Sequence, residues 1–120
     1  MRVGIDLVEI ERIEKMLENS RFLKRVFSEK ELVEFEKHGY KPESIAGAFA
    51  AKEAFSKCLG TGVRGFSLNE ISLLHNDFGA PFLELEGRAK VVAEEQNLTL
   101  CVSISHTKDT AAAVVVVSER

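Results

Sequence analysis

The segment Phe49 to Lys57, FAAKEAFSK, sets an acid and a lysine four residues apart inside an otherwise apolar run. On a helix, Glu53 and Lys57 stack on one face. Ala46 and Ala50 continue that face toward the N-terminus with nothing larger than a methyl group, which leaves room for another molecule to approach the backbone. The plainer reading of Glu53 and Lys57 is an ordinary surface salt bridge. Asp6 also has two readings. It stands at the end of an apolar strand just ahead of a helix, where the helix dipole favours an acid. Alternatively it joins Glu53 as the second carboxylate of a site for a hard cation. Magnesium is commonly held by one or two carboxylates, with waters and substrate phosphates completing its shell.

Gly60-Thr61-Gly62-Val63-Arg64-Gly65 matches the pattern G-x-G-x-x-G. A dinucleotide fingerprint follows a strand and opens a helix, whereas this loop follows a helix and opens a strand, so that reading is rejected. The loop is either a helix-to-strand connector or, with Arg64 beside it, a set of backbone N–H groups able to cradle a phosphate.

The elements that must position these residues follow from periodicity and punctuation. Arg2 to Asp6 reads as a short strand, and Ile10, Ile13 and Leu17 mark an amphipathic helix over roughly residues 9–19. Ser28 and Glu31 form a capping box that opens a helix ending near Gly39. Pro42 breaks the chain before a long helix over about 43–59, closed by Gly60. Residues 66–75 are mostly extended, 76–79 form a turn, and 82–85 return as a strand. A short helix follows over 87–96. Leu98 to His106 alternates as a half-buried strand, and Thr110 to Ser118, with its run AAAVVVV, reads as a strand buried on both faces. The expected fold is α+β, with an antiparallel sheet weighted toward the C-terminus.

At 120 residues the expectation is one domain over residues 1–120, with a modest core. No stretch is long and apolar enough for a membrane span, and MRVGIDLVEIER shows no signal-peptide core, so a cytoplasmic protein without membrane contact is expected. Cys58 and Cys101 lack metal spacing and read as two buried thiols in a reducing compartment rather than a disulfide. The net charge of −3 argues against general nucleic-acid binding. From Arg21 to Lys30, however, four basic residues (Arg21, Lys24, Arg25, Lys30) face a single acid, Glu29.

Gly4-Ile5-Asp6 with Glu9 and Arg12, followed by FAAKEAFSK and the Gly60-Thr61-Gly62 loop, resembles the holo-[acyl-carrier-protein] synthases, small phosphopantetheinyl transferases of bacterial fatty-acid synthesis. The resemblance covers nearly the whole chain. It implies the 4′-phosphopantetheinyl transferase fold and a reaction that moves the 4′-phosphopantetheine arm of coenzyme A onto a serine of acyl carrier protein, releasing adenosine 3′,5′-bisphosphate. It further implies Mg2+ held by Asp6 and Glu53, and Lys57 reaching the same phosphate, which makes Asp6, Glu53 and Lys57 the catalytic set. Gly60, Gly62 and Arg64 would line the coenzyme's pyrophosphate and adenine end. Ser105-His106-Thr107 resembles the family's C-terminal motif, with His106 either a coenzyme phosphate contact or a strand-end turn residue. Family members are trimers with active sites between subunits, which implies a homotrimer here.

The resemblance also gives the basic segment a role. Acyl carrier proteins are acidic, and the family docks them on its first helix and the following turn, matched here by Arg12, Met16, Arg21 and Arg25. Without the resemblance the same run reads as a solvated face. Two positions depart from the family pattern: Ala48 stands where many members carry arginine, and Gly79-Ala80-Pro81 where the family often has Gly-Lys-Pro. A non-catalytic module that binds coenzyme A or the carrier protein is the alternative those departures leave open.

Overall fold

The computed structural model describes residues 1–59 and 65–120. Ten residues of strand β5 (Thr110–Glu119) form the centre of a three-stranded antiparallel sheet, flanked by β1 (Arg2–Glu9) and β4 (Leu98–His106). Strands β2 (Ile71–His75) and β3 (Pro81–Leu85) form a separate hairpin. Its turn is closed by the Asn76 side chain, which accepts from Phe78 N and Ala80 N, with Gly79 at φ +83. The helices are α1 (Ile10–Met16), α2 (Ser20–Val26), α3 (Glu29–Lys37), α4 (Pro42–Cys58) and α5 (Gly87–Glu95), with a 3-10 turn at Leu68–Glu70. No helix among the described residues is long and apolar enough to cross a membrane.

Helix α4 organises the molecule. Pro42 is its first residue rather than a breaker ahead of it, a position where the missing N–H costs nothing. The helix lies across the inner face of the β1–β5–β4 sheet, and the small residues make a close approach possible. A Cβ on Gly4 would collide with the Ala54 carbonyl oxygen and stand 3.0 Å from Cys58 N. Ala46, Ala50 and Ala54 are fully buried in this contact. The alanine stripe read as clearance for a ligand therefore serves helix-to-sheet packing instead. Phe22, Phe27, Phe35 and Phe49 continue the core around the helix's N-terminal half, with Phe27 and Phe35 edge-to-face at 5.1 Å.

Three local expectations are corrected. Strand β1 runs to Glu9 rather than stopping at Asp6, because every residue from Arg2 to Glu9 has a β5 partner. The first helix ends at Met16, and Asn19 starts a second by accepting from Arg21 N and Phe22 N. On β5, Ala111, Ala113, Val115 and Val117 are buried, but the alternate residues are only half covered, so one face of the strand is open. That open face also explains Cys101, expected to be buried and found exposed on β4, while Cys58 is buried and donates to Val115 O; both thiols are free.

Candidate active site

Alternation along β1 decides which side chains meet α4. Gly4, Asp6 and Val8 face the helix, while Val3, Ile5 and Leu7 face outward. Asp6 is thus a mid-strand residue on the inner face, which removes the helix-start reading. It lies opposite the C-terminal half of α4, where Lys57 Nζ donates to Asp6 Oδ1 at 2.9 Å and to Ile5 O at 3.0 Å. The lysine is therefore not spent on Glu53, and the intrahelical salt bridge is not what the structure holds. Lys57 remains 57% exposed while Asp6 is 16% exposed, so the ammonium can turn toward an incoming anion.

Glu53 lies within electrostatic reach of Asp6, Lys57 and Arg12. Burial, then repulsion from Asp6, pushes its carboxyl above the usual carboxylate range, and Lys57 and Arg12 pull it only part of the way back. Asp6 and the Glu53–Lys57 pair, which stand far apart in the sequence, thus converge where β1 crosses α4. Among the described residues no group of three or more histidine, cysteine, aspartate or glutamate side chains could enclose a metal.

Other expected site residues lie elsewhere. Gly60, Gly62 and Arg64 fall outside the described residues. Through the register, Asp6 pairs with Ala113, and Ala113 with Ile104, so Ser105 and His106 are two strands away from Asp6, about 10 Å. His106 is exposed with Nδ1 3.2 Å from Thr107 O. Thr107 Oγ1 accepts from Asp109 N and Thr110 N, a local turn role. One chain therefore does not bring Ser105-His106-Thr107 onto the carboxylates.

Arg12 on α1 and Arg21 and Arg25 on α2 are exposed, and none makes an ion pair among the described residues. Met16 is half-buried against the core. Lys30, from the same basic run, is committed to Glu84 at 2.7 Å. Ala48 and Gly79, the two departures from the family pattern, border one cavity of about 640 Å³, whose lining also includes Lys37, Lys41, His38 and His75.

Sequence reasoning missed Lys52 and Glu31, which form an ion pair with no exposed side-chain surface. Glu31 was read only as part of a capping box, which is present. The available signal was Lys52 flanked at helical spacing by Phe49 and Phe55, which puts a charge on an apolar face.

The fold and this site define a small α+β protein in which two carboxylates and an exposed lysine meet where β1 crosses α4. The model of the 4′-phosphopantetheinyl transferase superfamily matches residues 2–115, and the chain belongs to that family. It is 46% identical over 116 residues to a holo-[acyl-carrier-protein] synthase of Caldanaerobacter subterraneus subsp. tengcongensis, covering 95% of this chain and 91% of that protein. The holo-[acyl-carrier-protein] synthase of Neisseria meningitidis superposes with a TM-score of 0.91 at 34% identity, covering 98% of each chain. That of Helicobacter pylori, solved in complex with coenzyme A, gives a TM-score of 0.84 at 40% identity, covering 97% of this chain and 99% of the other.

Proposed function

We propose that this chain is a holo-[acyl-carrier-protein] synthase, one phosphopantetheinyl transferase domain over residues 1–120 acting in the cytoplasm on coenzyme A and apo acyl carrier protein. The observation that carries the reading is the convergence of Asp6, Glu53 and Lys57 across β1 and α4, in a chain whose relatives bear that name.

The carboxylate pair fits a magnesium ion. Two hard oxygen donors stand close enough to oppose each other's charge, and a cation that completes its shell with waters and substrate phosphate relieves that repulsion. Asp6 and Glu53 would hold the magnesium ion, which when bound would supply charge neutralisation and polarisation at the phosphoryl group under attack. Lys57 leaves Asp6 for the phosphate and stabilises charge developing on the leaving adenosine 3′,5′-bisphosphate. The carrier serine attacks the phosphoryl group, its proton passing to a neighbouring base, and the phosphopantetheine arm transfers as the pyrophosphate bond breaks. At the Ala48 cavity, Lys37 and Lys41 place positive charge where the family's arginine would stand. Arg12, Arg21 and Arg25, free of ion pairs among the described residues, steer the acidic carrier protein.

The site is completed by a neighbouring subunit of a homotrimer. Two features support this: Ser105-His106-Thr107 lies two strands from Asp6 within one chain, and the outer sheet face is apolar. Val3, Ile5 and Leu7 are 60%, 60% and 68% exposed on that face, an uncovered patch of the kind that marks an interface.

Mass spectrometry of apo carrier protein incubated with coenzyme A tests the reading. With magnesium the carrier gains one phosphopantetheine arm, and a chelator abolishes the gain. No gain under either condition would leave only the non-catalytic binding module.

A further inference from the structure

Lys52 and Glu31 are buried charges that touch neither substrate nor metal in this reading. Lys52 Nζ donates to Glu31 Oε1, to Leu68 O at 3.1 Å and to Ile71 O, and lies 5.2 Å from the centre of the Phe27 ring. Glu31 accepts from Ser28 N through Oε1 and from Leu73 N through Oε2, both at 3.0 Å. Ser72 Oγ donates to Ser28 Oγ at 2.6 Å, and no buried side-chain polar atom among the described residues lacks a partner. The network joins α4 to the start of α3, the 3-10 turn and β2.

Such a network is a costly way to hold a core together. Burial pushes the Glu31 carboxyl up and the Lys52 ammonium down, and apolar residues of similar volume often stabilise as well as a buried pair. What it adds is direction. On its sheet side α4 presents Ala46, Ala50 and Ala54, a smooth surface that fixes separation more firmly than rotation. The polar contact there, Lys57 to Asp6 and Ile5 O, opens when Lys57 turns to phosphate. Successive helical residues point about 100° apart, so any rotation that relaxes Lys52 swings Glu53 by the same angle.

We infer that the Lys52–Glu31 pair is a positioning clamp, anchoring α4 to β2 and α3 so that Glu53 keeps its place beside Asp6 while Lys57 is engaged by substrate. The inference rests on the metal and transfer reading above.

The test is Lys52→Met/Glu31→Gln, which removes both charges; glutamine's single oxygen keeps the capping box at Ser28 N and gives up the Leu73 N contact to β2. Supporting partners of a metal ligand typically contribute 10- to 100-fold, so kcat per folded site falls by about that factor. KM for apo carrier protein stays unchanged, because the docking arginines are untouched. Mn2+ titration followed by electron paramagnetic resonance shows the same site number at an affinity weaker by about the same factor. Wild-type kcat and Mn2+ affinity in a folded double variant overturn the clamp. So does a lower Mn2+ site number at unchanged affinity, which marks partial unfolding alone. If the double variant does not fold, Glu31→Gln decides: a smaller loss with the same split supports the clamp, and wild-type values overturn it. A wild-type protein that binds no Mn2+ removes the metal reading only, and the split of kcat against KM then decides the clamp.

Discussion

At the residue scale, the site stores an unfavourable charge. Glu53 is partly buried beside Asp6, so its folded-state pKa lies above the unfolded one. The fold disfavours the ionised form: the cost is absent well below the unfolded value and fully present once pH has risen past the folded value. Glu53→Gln therefore melts at a higher temperature than the parent at neutral pH, and the advantage shrinks on acidification. The same variant, like Asp6→Asn, loses transfer by roughly 100-fold or more, since a metal contact is worth several kcal/mol and each 1.36 kcal/mol is tenfold. Calorimetry across pH together with the carrier mass assay checks both halves; an unchanged melting temperature at neutral pH would remove the charge argument. Glu53 and Lys57 were legible because an acid and a lysine four apart share a helix face whatever the tertiary structure. That Lys57 binds Asp6 rather than Glu53 was not legible, since only strand pairing puts Asp6 there. Lys52 was obscured for the same reason: its partners Glu31, Leu68 and Ile71 are scattered along the chain.

At the element scale, the active geometry depends on how closely β1 lies on α4. Gly4→Ala adds a methyl group against the Ala54 carbonyl and the Cys58 amide, backbone atoms that cannot turn aside. Overpacking of this kind typically costs roughly 1–3 kcal/mol. It also moves Asp6 away from Glu53, so kcat falls more than the folded fraction does; denaturant melts with active-site-normalised rates measure the two separately. A variant of parental stability and rate would show that the strand moves freely. The α1–α2 surface gives a second test. Charge reversal at Arg12 and Arg21 slows association with the carrier protein, and the loss narrows as salt screens the field. Stopped-flow association across ionic strength reads this, and a salt-independent defect would place docking elsewhere. Helix α3 was legible because Ser28 and Glu31 cap it locally, and α4 because proline opens it. The length of β1 was not, because β5 supplies the hydrogen bonds that extend it past Asp6. Nor was α2, whose start is signalled mainly by Asn19, a residue read as the end of the first helix.

At the scale of the whole molecule, the sheet's outer face determines whether one chain is enough. The apolar run of β5 read as a strand covered on both sides, and the folded chain covers one of them. Val3 pairs with Val116, and Val116 with Cys101, so these three share the open face. In the proposed trimer that face is enclosed and the His106 segment of one subunit is brought to the Asp6 side of another. Val3→Lys puts a charge into the enclosed surface while leaving the α4 contact untouched. Sedimentation should find the parent as a trimer and the variant as a monomer, with transfer lost although Asp6, Glu53 and Lys57 are intact. Cys101 gives an independent reading: a thiol reagent modifies it slowly in the assembled parent and rapidly in the variant. Cys58 stays unreactive in both, because burial holds its thiol neutral. A fully active monomer, or equal Cys101 reactivity in the two proteins, would mean that the apolar face has another partner and that one chain completes its own site.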